Sequence, residues 1–276
     1  MASTQHYALI LGVSSGFGRA AALAMAQEGL HIIGVHLDRA AGMQQVEQLK
    51  TELSALGARH LFFNVNAADA DRRAEVMDGI RAELDAHPGS TVRLMLHSLA
   101  FGTLKPFIAE NAGDAISQKN LEMTMDVMAN SIIYYTQDLV RKGLMDRGGR
   151  IVGLTSAGAS RVLPMYGAVS AAKAAMEAYC RQLALELAPH GITANTIRAG
   201  VTATPALSKI PGNDVIMNNA LMRNPYHRLT TPEDIANVLR LLVKDNAYWI
   251  NGEVLGVDGG EDAVDLTWYK PGQSAE

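Results

Sequence analysis

The sequence contains a single cysteine, Cys180, so it can form neither an internal disulfide nor a cysteine-built metal centre. Cys180 lies inside the apolar helical run 174–187, a setting for a buried thiol rather than a nucleophile. A strong charge bias is also missing. With 24 basic and 28 acidic residues the net charge is -4, which gives nucleic acid and anionic membranes no footing. No apolar run approaches the ~20 residues that span a bilayer. The N-terminal stretch Met1–Val13 has no basic segment followed by a long apolar core, so the expected location is cytoplasmic. Repeats and low-complexity tracts are absent, and no shift in composition marks a boundary. With 48% hydrophobic residues, positions 1–276 are expected to form a single domain around one large core.

What the sequence does contain is alternation. Short apolar, β-rich runs occur at Tyr7–Gly12, His31–His36, His60–Asn64, Val92–His97, Arg150–Thr155, Ile192–Ile197 and Val254–Val257. Between them, Arg19–Gly29, Ala40–Leu56, Asp69–Ala86, Leu121–Lys142 and Tyr166–Pro189 carry helical periodicity. Strands apolar on both faces and joined by crossover helices predict an α/β fold: a Rossmann-type, doubly wound parallel sheet of about seven strands with helices on both faces. The stretch 205–225, with Pro205, Pro211, Gly212 and Pro225, breaks this rhythm and is expected to be a substrate lid over the carboxyl end of the sheet. Residues 261–276 form a C-terminal extension.

The first strand runs into Gly12, Ser14, Ser15, Gly16, Phe17 and Gly18, immediately before the first helix. Glycines there allow a tight turn, bring backbone N–H groups near a pyrophosphate and let helix and strand pack closely. A glycine cluster alone can be a simple turn. Its position at the start of a long βα series makes it a candidate dinucleotide site.

The glycine spacing, Ser156, the run Tyr166–Lys173, the pair Ala194 and Asn195, and the closing Val257–Gly260 together resemble the short-chain dehydrogenase/reductase family over nearly the whole chain. Most members place a catalytic tyrosine four residues before a lysine, and here that residue is Val169. Tyr166 instead precedes Lys173 by seven residues, which is similar to the enoyl-acyl-carrier-protein reductase branch. His97–Ala100 and the pair Ala199 and Gly200 agree with that branch. The helix position of the usual catalytic asparagine falls on Met128, with Asn130 as the alternative if the alignment slips.

Seven residues turn a helix through about 700°, so Tyr166 and Lys173 share a face at ~10 Å axial separation rather than the ~6 Å of a four-residue step. A ketone reductase needs its acid at the oxygen of the carbon that receives hydride. Conjugate reduction of an α,β-unsaturated thioester places the developing charge further along, on the thioester oxygen, where a displaced tyrosine fits. Tyr166 is therefore expected to be the acid or enolate stabiliser. The resemblance makes Lys173 the anchor of the nicotinamide ribose, with a charge that favours a tyrosinate or the developing enolate. Ser156 matches the serine of ordinary family members, where many enoyl reductases carry a second tyrosine. It either helps bind the thioester carbonyl or caps the strand end.

The resemblance also places cofactor contacts. The 2′ group of the adenosine ribose should meet the end of the second strand, where His36 stands at the usual acidic position, Asp38 follows, and Arg39 can pair with a phosphate. The expected cofactor is NADPH, contacted by His36 and Arg39, with NADH as the alternative. Asn64 and Val65 fall where the fold contacts adenine, or form a turn. Ser98, Leu99 and Ala100 should pass the ribose. Gly200, Val201, Thr202 and Thr204 should meet the carboxamide and pyrophosphate, with helix capping as the competing role for Thr204.

His97 is expected to pack, Met123, Met125, Met128, Tyr134 and Tyr135 to be core or subunit-contact residues on a long helix, and Arg223, His227 and Arg228 to be surface charge. No metal site is expected. The resemblance implies a homotetramer, with Trp268 and Tyr269 of the tail against a neighbouring subunit. The expected reaction is NAD(P)H-dependent reduction of the C=C bond of a trans-2-enoyl thioester on acyl carrier protein or coenzyme A. A carbonyl reductase or alcohol dehydrogenase using Ser156 and Tyr166 is the nearest rival, and a non-catalytic dinucleotide-binding regulator a third.

Overall fold

The computed structural model describes residues 5–264 apart from 211. Trp268 and Tyr269 lie outside the described residues, as does Pro211 of the expected lid.

Seven strands appear where apolar runs were expected: β1 (His6–Leu11), β2 (His31–His36), β3 (His60–Asn64), β4 (Thr91–His97), β5 (Arg150–Ser156), β6 (Thr193–Ala199) and β7 (Val254–Val257). All adjacent pairs are parallel, in the order β3-β2-β1-β4-β5-β6-β7. The chain starts at the centre, winds out to β3, then crosses back past β1 to build the other half. That reversal between β1 and β4 opens a crevice at the carboxyl ends of the strands.

The helices are α1 (Gly16–Gln27), α2 (Ala40–Ala55), α3 (Ala70–Asp85), α4 (Gln118–Met125), α5 (Ser131–Arg141), α6 (Gly167–Leu187), α7 (Asn213–Arg223) and α8 (Pro232–Leu242). Alternation along each strand feeds two cores. Tyr7, Leu9 and Leu11 of β1 pack with α3, α5 and α6, while Ala8 and Ile10 pack with α1, α2 and α8. Each fully buried Leu or Ile contributes about 1.5–3 kcal/mol, and removal of these two-sided strands from water is what fixes the layers.

Three expectations change in detail. The single long helix over 121–142 is two helices joined by a π turn at Asp126–Asn130. The 205–225 segment holds a 3₁₀ turn at Leu207–Lys209 and α7, so it is more helical than its prolines suggested. The sequence reading also missed α8. Its signal was legible: Thr231 accepts a hydrogen bond from the Asp234 N–H while the Asp234 carboxylate accepts from the Thr231 N–H, a capping box opened by Pro232. Among the described residues no helix is long and apolar enough to cross a membrane.

Candidate active site

The turn from β1 into α1 is shaped by what it cannot hold. Gly12 has φ +89°, and a Cβ there would stand 2.5 Å from the Ser98 carbonyl oxygen. A Cβ on Gly18 would collide with the Gly12 carbonyl, so helix and turn are in backbone contact. Ser15 caps α1 in extended conformation without a side-chain hydrogen bond, and no acidic residue sits in the first turn. The helix therefore presents unsatisfied N–H groups and its positive dipole end to the crevice, the features that suit a pyrophosphate. Thr204 closes the other side, since a Cβ on Gly16 would lie 3.5 Å from its Cγ2. The Thr204 hydroxyl also accepts the Leu207 N–H at 3.2 Å, so the capping role is real as well.

At the end of β2, His36 is 3% exposed and its Nδ1 lies 2.9 Å from Asp38 Oδ2. Burial lowers its pKa, with Asp38 opposing, so the ring is neutral at physiological pH and supplies no positive charge. Arg39 is exposed and forms no ion pair among the described residues. Asn64 and Val65, expected at the adenine, spend their amide groups on this strand end instead. Asn64 Oδ1 accepts the Asp38 N–H at 3.0 Å, its Nδ2 donates to the Asp38 carbonyl at 2.9 Å, and the Val65 N–H donates to the His36 carbonyl at 2.8 Å. The reason is that the parallel ladder of β2 and β3 runs one step beyond the strands.

Beside this region lies a mostly apolar cleft of about 320 Å³. It gathers Phe17, the 98–100 segment, Ser156, Tyr166, Lys173, Gly200, Val201, Thr202 and Thr204 of the expected residues. Gly12, Ser14, Ser15, Gly16 and Gly18 form the adjoining turn, and His36, Arg39, Asn64 and Val65 stand at its far end.

Tyr166 caps α6 rather than lying within it, directly after Met165, whose φ of +61° is strained for a residue with a side chain. The Tyr166 carbonyl still accepts the Ser170 N–H at 2.8 Å, so the phenol and Lys173 keep a common helical face. Lys173 is 7% exposed and its Nζ donates to the Leu154 carbonyl at 2.6 Å. Burial lowers its pKa to about 8, opposed by Glu177. Burial moves Tyr166 the other way, upward, offset in part by the Ser156 hydroxyl beside it. With its pKa raised above the ordinary phenol value, Tyr166 carries its proton and can donate it. Ser156 Oγ is buried, forms no hydrogen bond with another protein atom, and faces the same corner of the cleft as the Tyr166 ring across Gly158. It does not cap the strand end.

The four-residue position, Val169, and Met128 both face the cleft, and both press on Gly102, where a Cβ would lie 2.7 and 2.8 Å from them. The π turn delivers Met128 to this wall. Asn130 points elsewhere, donating to Asp126 at 3.0 Å and accepting from the Tyr179 hydroxyl at 2.9 Å, and it does not line the cleft. His97 is a packing residue. Ser131 gives its proton to the Val127 carbonyl, so His97 Nε2 donates to Ser131 Oγ at 2.8 Å and the ring is neutral, its pKa lowered by burial to about 3. The sequence reading did not single out Glu261 at this cleft, because no local pattern marks it. It is 4% exposed, accepts the Val201 N–H at 3.1 Å and pairs with Arg223 at 3.0 Å. Among the described residues no group of His, Cys, Asp or Glu is gathered to hold a metal.

A crevice where the strand order reverses, a backbone turn fitted to a pyrophosphate, and a buried tyrosine and lysine define an oxidoreductase using a nicotinamide dinucleotide. The family profile described as "Enoyl-(Acyl carrier protein) reductase" matches residues 12–261, and the chain belongs to the short-chain dehydrogenase/reductase family, near its enoyl-acyl-carrier-protein reductase branch. It is 34% identical over 189 residues to the NADH enoyl-acyl-carrier-protein reductase of Aquifex aeolicus, covering 67% of each chain. The solved structure of the Aquifex aeolicus enzyme superposes with a TM-score of 0.79 at 26% identity, covering 94% of this chain and 97% of the other. A 3-oxoacyl-acyl-carrier-protein reductase of Thermotoga maritima is 28% identical over 257 residues, covering 91% of this chain and 96% of its own length.

Proposed function

We propose that the protein reduces the C=C bond of a trans-2-enoyl thioester, on acyl carrier protein or coenzyme A, using NADPH. The observation that carries this reading is the corner formed by Val169, Met128 and Tyr166. The usual tyrosine and asparagine positions are apolar, and among the described residues the one phenol lining the cleft, Tyr166, precedes Lys173 by seven residues instead of four.

When bound, the dinucleotide supplies a hydride to the β-carbon of the enoyl group. The chain does the rest. Tyr166, protonated because burial raises its pKa, gives its proton to the thioester oxygen as negative charge develops there; the resulting enol tautomerises to the saturated thioester, and the phenolate takes back a proton from solvent. Lys173, still cationic below about pH 8, donates to the ribose hydroxyls from its seat on Leu154. The apolar walls exclude water and take the acyl chain. Arg39 follows directly after this strand end and supplies positive charge toward the 2′ position, while His36 is neutral and paired with Asp38. A homotetrameric assembly in the cytoplasm accompanies this reading.

One observation favours a second reading. Ser156 Oγ, buried beside the Tyr166 phenol, can polarise a ketone together with it, as a carbonyl reductase requires. The deciding experiment follows NADPH consumption with crotonyl-CoA or a longer enoyl thioester beside the matching 3-ketoacyl thioester, with product identification. Saturated product from the enoyl compound is expected. Reduction of the keto compound alone overturns the proposal in favour of the second reading.

A further inference from the structure

We infer that Glu177 is a positioning residue for Lys173: a counter-charge anchored at a distance on Thr155, which keeps the amine cationic without taking any of its hydrogens. It rests on the reading above only for what those hydrogens meet, the ribose of a dinucleotide.

Lys173 and Glu177 lie one turn apart on α6 and share a face. Neither is in an ion pair among the described residues, although a buried ammonium is costly without a counter-charge. Each instead holds the end of β5. Lys173 Nζ donates to the Leu154 carbonyl at 2.6 Å, and the next residue, Thr155, 3% exposed, donates from Oγ1 to Glu177 Oε1 at 2.7 Å. Strand and helix are laced twice in succession, and the second lace fixes the carboxylate at Thr155, short of the amine.

That arrangement resolves a conflict. An ammonium has three hydrogens, and one is spent on Leu154. A carboxylate in contact with it would take another and turn it from the cleft that Lys173 lines. Held at Thr155, Glu177 acts through its charge alone. It favours the cation, in the direction that opposes burial, and leaves two hydrogens for a pair of neighbouring hydroxyls. The other groups around Lys173 do not supply this charge. His97 of β4 is neutral, and on α6 the Tyr166 phenol and the Cys180 thiol are held protonated by burial. On β6, Arg198 stands opposite Thr155 and is itself a cation, paired with Asp262. In the π turn Asp126 accepts from Asn130 and Tyr134, and on α4 Lys119 and Glu122 are exposed.

Two measurements on the full-length protein test the assignment. One is the ionisation of Lys173 without ligand, followed by the NMR resonance of its ε-methylene group and assigned by its loss in Lys173→Met. The other is NADP+ affinity against pH, by calorimetric titration. Glu177→Gln keeps an acceptor for Thr155 and removes the charge. Both midpoints are expected to move down by roughly half to one pH unit, while affinity well below them stays as in the wild type. Glu177→Asp, which restores the charge, should recover most of that shift. A lysine midpoint that does not move in Glu177→Gln overturns the assignment. So does a loss of affinity equal at every pH, the sign of a carboxylate that only shapes the strand end. If neither NADP+ nor NAD+ binds the wild type while the lysine midpoint still moves, the dinucleotide reading falls and the counter-charge stands.

Discussion

The two halves of the crevice are made of different material. On the side of β1, α1 and β2 the working groups are backbone, the N–H groups of the Gly12–Gly18 turn, kept accessible because side chains are excluded. On the side of β5, α6 and β6 the polar groups that line the cleft are side chains, among them Tyr166, Lys173 and Ser156. A backbone site constrains residue type tightly, since even one added carbon closes it. A side-chain site tolerates exchange, and here the usual tyrosine and asparagine positions have become Val169 and Met128 while a tyrosine appears elsewhere. Binding is thus held constant and chemistry is free to vary.

The largest test of this contrast is Tyr166→Phe. Loss of the donor should lower turnover by about 10²–10⁴-fold and leave cofactor affinity nearly unchanged, measured by steady-state kinetics beside titration. Unchanged turnover would remove the phenol from the mechanism. Next comes the proton on Lys173. Its pKa is about 8, against 10.5 for an ordinary lysine, because burial disfavours the charged form. The protonated amine is the stronger, charge-assisted donor to the ribose, so affinity should be highest below pH 8 and decline above it. Lys173→Met should bind weakly with a flat profile, and a profile in the variant matching the wild type would assign the titration elsewhere.

On the backbone side, Gly18→Ala forces apart α1 and the Gly12 carbonyl. A destabilisation of about 1–3 kcal/mol is expected in denaturant unfolding, together with weaker dinucleotide binding. A variant that keeps wild-type stability and affinity would show that this turn is not the rigid half.

Legibility in the sequence follows the same division. The strands were readable because both faces are apolar, and the glycine turn because its constraint is local. Tyr166 and Lys173 were readable as a spacing. What the sequence hid depends on contacts across the fold. Asn64 looks like a ligand contact until β3 pairs with β2 and its amide is used. His36 looks like a cation until its burial against Asp38 is seen. Glu261 meets the Val201 N–H only when the turn after β7 reaches the end of β6, across 60 positions of chain.

Cofactor choice is the smallest effect and sits where the two kinds of material meet. Asp38 is anchored three times over, by His36 to its side chain and by Asn64 to both of its backbone groups, so the carboxylate cannot easily swing aside. Arg39, next along, is exposed and caps α2 without a side-chain bond. A phosphate on the ribose therefore meets a fixed negative group and a mobile positive one. If the mobile cation wins, Arg39→Ala should weaken NADPH by about tenfold and leave NADH within about twofold, the size expected for one charge-assisted contact in a solvent-exposed setting. The effect should shrink as salt is raised, since an exposed pair is screened. Asp38→Asn gives the opposite reading of the same site: NADPH should gain and NADH lose. Equal losses of both cofactors in Arg39→Ala would instead make the carboxylate the deciding group, and the protein an NADH enzyme.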